Sequence, residues 1–147
     1  MDRAETLANG LVIEAGVLVD GRQCAGEVEV PAGVTEIAAK AFYNNRKLTG
    51  LILPEGLVRI GKFAVGGCPN LAFVQAPDSL AEMGESALMC KFESDVGFTH
   101  VMENKEYYPT IRCRQGSWID GQMQKLKVGD SWGGSHGAKH IVEVQYL

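Results

Sequence analysis

Three short stretches of the chain read as half-buried strands: Val28-Glu29-Val30, Leu51-Ile52-Leu53 and Val74-Gln75-Ala76. Their first and third residues are apolar, so those side chains share one face while the middle residue takes the other. A proline follows each stretch, and Pro31, Pro54 and Pro77 recur every 23 residues. Proline has no N–H to give to a strand ladder, so it ends each strand. The same period governs other positions: Val34, Leu57 and Leu80; Ile37, Ile60 and Met83; Ala41, Ala64 and Ala87; Phe42, Val65 and Leu88; Leu48 and Leu71. From Ile37 to Phe42 the apolar residues fall at relative positions 1, 5 and 6. That spacing predicts one tight helical or 3₁₀ turn on the wall opposite the strand. Asn44-Asn45 and Gly66-Gly67 then make the turn back. One 23-residue unit is too small to bury its own apolar side, whereas stacked units share a continuous core.

Two units are complete, VTEIAAKAFYNNRKLTGLILPEG and LVRIGKFAVGGCPNLAFVQAPDS. GEVEVPAG leads in as a half unit, and LAEMGESALMC begins a third that decays. These units resemble the BspA-like leucine-rich repeat family, whose unit has the form VTEIGxxAFxxCxxLxxIxLPxG. The resemblance covers about residues 11–90. It departs from the pattern at Asn45, which stands where Cys68 sits one unit later, and at Val65, which replaces the aromatic Phe42. The third unit also loses one residue after Ala87. The resemblance implies a short repeat solenoid of one strand plus one tight helical turn per unit. It also implies a binding scaffold for protein partners or surface adhesion, and no catalysis.

From about Thr99 the period is gone, which divides the chain into a repeat solenoid over 1–98 and a C-terminal module over 99–147. Residues 1–98 hold 8 basic and 13 acidic side chains, and residues 99–147 hold 6 and 5. Thr110–Trp118 reads as a strand, with Ile111 and Cys113 on one face and Arg112 and Arg114 on the other. Asp120-Gly121 is a hairpin signal, Met123–Val128 would return, and Ile141–Tyr146 alternates as a last strand. The expected fold is therefore β-rich throughout, a solenoid capped by a small all-β module, since an open stacking face needs a cap. The stretch from Ile111 onward is similar to one Greek-key unit of jacalin-like lectins through Gly116, Trp118, Ile119, Asp120, Gly133, Gly134 and Gly137. It spans under 40 residues where that fold needs three such units, so it carries over no sugar-binding residue.

Composition narrows the function classes. The chain has 147 residues, 46% of them apolar, and a net charge of −4. That balance argues against disorder and against a nucleic-acid binder working by phosphate neutralisation. No apolar run approaches the roughly 20 residues of a membrane span. The start, MDRAETLANG, lacks the basic-then-apolar order of a signal peptide, which makes an intracellular location the default. Cys24, Cys68, Cys90 and Cys113 form no CxxC pair and read as reduced, buried small hydrophobes.

Candidate chemistry is sparse. His136 and His140 are four apart, but Gly133, Gly134 and Gly137 make a zinc-binding helix face improbable, and a surface loop fits better. Ser131 and Ser135 beside His136 have no nucleophile-elbow context, and the glycines of GDSWGGSHG precede no GK[ST]. No active site, metal or cofactor is expected. If Leu51 and Leu53 point inward, the outward row is Glu27, Glu29, Gly50, Ile52, Phe73 and Gln75, with Ile52 and Phe73 as exposed apolar neighbours. The binding residues expected on this basis are Glu29, Ile52, Phe73 and Gln75, for a protein partner. The alternative is a carbohydrate-binding, lectin-like module using Trp118, Asp120 and Trp132, since Trp stacks on sugar faces. Unpaired edge strands also leave room for a homodimer.

Overall fold

The computed structural model describes residues 5–7, 9–90, 108–128 and 142–147. Its strands form two sheets around one apolar core. The first sheet opens with an antiparallel lead-in of β1 (Glu5–Thr6), β2 (Val12–Glu14) and β3 (Val17–Asp20). The two-residue strands β5 (Glu36–Ile37), β7 (Arg59–Ile60) and β9 (Glu82–Met83) then add in parallel. The second sheet is all parallel, in the order β11 (Val144–Tyr146), β10 (Thr110–Cys113), β8 (Phe73–Gln75), β6 (Leu48–Ile52) and β4 (Gly26–Glu29).

The pairing follows the sequence period. Val28 is in register with Leu51 and Leu51 with Val74, while Ile37 is in register with Ile60 and Ile60 with Met83. Each step is 23 residues. Val28, Leu51, Val74, Ile37 and Ile60 are all buried between the sheets. The last ladder bonds of the second sheet come from Val30 N–H to Ile52 O, Leu53 N–H to Gln75 O and Ala76 N–H to Arg112 O. The prolines at 31, 54 and 77 follow immediately, where no donor remains.

The wall opposite the second sheet differs from the expected helical turn. It contains the short strands β5, β7 and β9, followed by turns that never become helix. Lys40, Phe63 and Ser86 explain this: they stand 23 residues apart and have φ of 59°, 51° and 50°. A left-handed residue at that place breaks right-handed helix geometry after a single turn. The turns keep isolated i→i+3 bonds, such as Ala41 N–H to Ala38 O (3.2 Å), and also bond to the next unit, as in Phe42 N–H to Ala64 O and Cys68 N–H to Cys90 O, both 2.8 Å. Successive turns pack closely. A Cβ at Gly61 would lie 2.7 Å from Ala39 Cα, and one at Gly84 would lie 2.6 Å from Lys62 N.

Asn45 has a buried role that the reading of a turn residue did not foresee. Its amide nitrogen donates to Gly21 O (3.0 Å) and Cys24 O (2.8 Å), and its oxygen accepts from Lys47 N and Leu48 N. One unit on, Cys68 replaces it and points its thiol at Phe42 O, 3.0 Å away. The asparagine is therefore fitted to the lead-in, whose two carbonyls need donors inside the core. Burial pushes the Cys68 thiol up to about 11, against a smaller opposite effect of the Asn45 backbone, which keeps it protonated and inert.

The C-terminal part corrects the all-β expectation. Ile111 is in register with Val74, so β10 takes the next place in the second sheet after a 37-residue step, and β11 extends that sheet in parallel. Between them lies α1 (Trp118–Val128), where a hairpin at Asp120-Gly121 and a strand from Met123 were expected. Ser117 starts the helix, its hydroxyl accepting from Asp120 N at 3.4 Å. Ile119, Met123 and Leu126, spaced i, i+4 and i+7, are all fully buried in the common core. Helical burial of that stripe outweighs the local turn preference of Asp-Gly.

Candidate partner-binding sheet face

The two sheets present very different outer faces. On the first, Glu36, Arg59 and Glu82 are in register on β5, β7 and β9. The Arg59 guanidinium pairs with Glu36 at 3.2 Å through one nitrogen and with Glu82 through another. One guanidinium thus serves both carboxylates of this row. Beside them runs an open groove of about 400 Å³ lined by Glu36, Arg59, Gly61, Lys62, Gly84 and Glu85.

On the second sheet two outward rows cross the strands. One runs through Glu27, Gly50, Phe73 and Thr110, the other through Glu29, Ile52, Gln75, Arg112 and Gln145. Glu27 and Glu29 on β4 are exposed, whereas Ile52, Phe73 and Gln75 are half-buried rather than fully exposed. Part of that cover comes from the C-terminal part of the chain. The Arg112 guanidinium on β10 stacks on the Phe73 ring at 3.8 Å, and its Nε donates to Gln145 Oε1 at 3.1 Å. The Phe73 ring in turn lies over Gly50, where a Cβ would fall 2.7 Å from its Cζ. Glycine at 50 thus lets a flat aromatic settle on the sheet. Sequence reasoning reached Phe73 but missed Arg112, whose placement depends on β10 joining this sheet across a break in the period.

Two of the other expected binding residues, Trp118 and Asp120, are placed apart from this face. Trp118 is half-buried at the start of α1 and packs against the core. Asp120 is buried, and its carboxylate accepts from Gly116 N (2.9 Å), Tyr146 Oη (3.1 Å) and Gln124 Nε2 (3.2 Å). Burial alone would raise its pKa, but those hydrogen bonds, with Lys127 nearby, bring it below the usual carboxylate value. Asp120 thereby clasps the end of β11 to the start of α1. Trp132, His136, His140, Ser131 and Ser135 lie outside the described residues. Among the described residues no group of three or more His, Cys, Asp or Glu could hold a metal ion.

The repeated register, the proline stops and the two-sheet core agree with a comparison against protein families. A family model described as "BspA type Leucine rich repeat region (6 copies)" matches residues 22–109, more than half of the chain. The chain belongs to the BspA-type leucine-rich repeat family. Neither the curated proteins nor the solved structures give a match. The family points in general to protein–protein interaction or adhesion, typically without catalysis. Among the described residues of this BspA-type repeat protein, no helix is long and apolar enough to cross a membrane.

Proposed function

We propose that this chain is a non-enzymatic interaction module. Its 23-residue units form a short solenoid, and the segment from residue 99 onward caps the C-terminal end. A protein partner docks on the outer face of the five-stranded sheet, around Glu29, Ile52, Phe73 and Gln75. The observation that carries this reading is the contrast between faces. On the first sheet Arg59 pairs with both Glu36 and Glu82, whereas the second keeps half-buried apolar side chains between charged residues, Glu27 and Glu29 at one end and Arg112 at the other, that have no ion-pair partner among the described residues. Aromatic and arginine side chains at the centre of a patch are the usual energetic anchors of protein interfaces.

A pull-down from the native source tests it, run with wild type, Phe73→Glu, Ile52→Glu and, as a control on the other face, Arg59→Gln. Circular dichroism and thermal melting confirm that each variant is folded. A partner retained by wild type and Arg59→Gln but lost by both sheet variants supports the proposal. A partner indifferent to Phe73→Glu and Ile52→Glu places recognition elsewhere. A glycan array run in parallel tests the carbohydrate alternative. Glycan binding unaffected by Phe73→Glu would move the function to the C-terminal part.

A further inference from the structure

The second sheet's outer row is polarised, and the polarity specifies a ligand. At one end Glu29 is exposed on β4, with Glu27 beside it in the adjacent row. At the other end Arg112 is held by the Phe73 ring on one side and by Gln145 on the other. Arg22 pairs with Asp20, Arg59 with Glu36 and Glu82, and Arg114 with Asp78, whereas Arg112 has no carboxylate partner among the described residues. A guanidinium fixed through its ring contact and its Nε still has terminal N–H groups for a planar anion. Stacking and the Gln145 bond have already restricted its rotamers, which lowers the entropy cost of binding. Between the two charged ends lies the apolar shelf of Ile52 and Phe73.

We infer that this face binds an extended peptide segment of the protein partner carrying a basic side chain, an apolar side chain and a carboxylate at alternate positions. The carboxylate meets Arg112, the apolar side chain rests on Ile52 and Phe73, and the cation meets Glu29 and Glu27. This rests on the sheet-face reading above and adds the partner's chemistry. The geometry sets the spacing. Neighbouring strands are about 4.8 Å apart, so the three steps from β4 to β10 span about 14 Å. An extended chain rises about 3.3 Å per residue, so residues i and i+4 are about 13 Å apart, and i, i+2 and i+4 project to the same side. A peptide of the form basic-x-apolar-x-acidic therefore bridges Glu29 and Arg112 when it lies across the strands. Recognition is through side chains, so the same pattern in reverse order satisfies the face by running the opposite way.

Phage-displayed random heptapeptides, selected on wild type, Glu29→Lys, Arg112→Gln and Phe73→Glu, test this. Wild type should enrich one cation and one carboxylate four residues apart with an apolar residue between them. Glu29→Lys should enrich two carboxylates at the same spacing instead. Synthetic wild-type-selected peptides should bind Arg112→Gln at least about tenfold more weakly, the scale of a lost charge-assisted hydrogen bond. No enrichment, enrichment without that charge spacing, or the same peptides on wild type and Glu29→Lys would overturn the inference. If the native partner is still lost by Phe73→Glu in that case, the sheet face stands and only the ligand chemistry is wrong. Peptides selected equally by Phe73→Glu would count against both.

Discussion

The repeated part of this protein and the part after Tyr108 are built on opposite principles. In the repeat, the main core environments occur more than once. Val28, Leu51 and Val74 occupy one row, Ile37 and Ile60 another, and Lys40, Phe63 and Ser86 turn the chain in the same left-handed way. Stability there is a sum of similar interfaces between neighbours. Among the described residues after Tyr108, β10 still continues the sheet, but the remaining contacts occur once: one helix, one arginine stacked on a phenylalanine, one aspartate joining three donors. The difference teaches that period reveals a wall of the fold, whereas a unique element must be recognised from its own local pattern.

The largest effect that sharpens this comparison falls in the repeat core. Leu51 is 1% exposed and in register with buried Val28 and Val74. Leu51→Ala should cost about 2–5 kcal/mol in chemical denaturation. A cost below about half a kcal/mol would mean that the inward row is misassigned. Next comes the turn wall. The Cβ of Gly61→Ala would press on the Ala39 backbone of the preceding unit, and backbone cannot swing aside as a side chain does. Overpacking of that kind should cost about 1–3 kcal/mol. A neutral Gly61→Ala would show that the turns stack less tightly than this geometry requires.

How far the sequence reveals this structure follows from the same contrast. The strand rows, the proline stops and the strand character of β10 and β11 were legible because alternation and period are independent of what lies across the core. The short strands β5, β7 and β9 were not. Two residues are too few to show alternation, and Glu36-Ile37 reads equally well as the start of a turn. Asn45 reads locally as a turn residue, and its buried role is not legible because its bonds to Gly21 O and Cys24 O reach back to the distant lead-in. On the candidate face, Phe73 and Ile52 follow from strand alternation, but their half-buried state and the part of Arg112 depend on which distant strand pairs with β8. Asp120 stands in a lectin-like pattern in the sequence, while in the structure it clasps β11 to α1.

That clasp supplies a pH-dependent prediction in the unique part. Asp120→Ala removes three hydrogen bonds, from Gly116, Gln124 and Tyr146, and should cost about 1–2 kcal/mol at pH 7. The folded pKa of Asp120 lies below the ordinary value of 3.8. Its contribution is therefore fully present above pH 3.8 and is lost as pH falls through the lower folded value. Denaturation of wild type and Asp120→Ala across pH 7 to pH 2 should show the gap narrowing only at the acid end. A gap that stayed constant, or widened on acidification, would mean that the charged carboxylate is not what holds β11 to the helix.

The smallest effect decides most directly between what Asp120-Gly121 suggests locally and what the chain does. In a tight hairpin turn of the Asn-Gly or Asp-Gly kind, Gly121 would need positive φ, and alanine there would be strained. In α1 the residue is helical and exposed, and a Cβ would meet nothing within 4 Å. Alanine is a better helix former than glycine by about 0.8–1 kcal/mol, partly because glycine leaves the unfolded chain more freedom to lose. Gly121→Ala should therefore raise stability by roughly 0.5–1 kcal/mol in chemical denaturation, with Met123 and Leu126 still buried. Destabilisation by a similar amount would return this segment to a hairpin. The part after Tyr108 would then resemble the repeat more closely than its helix now allows.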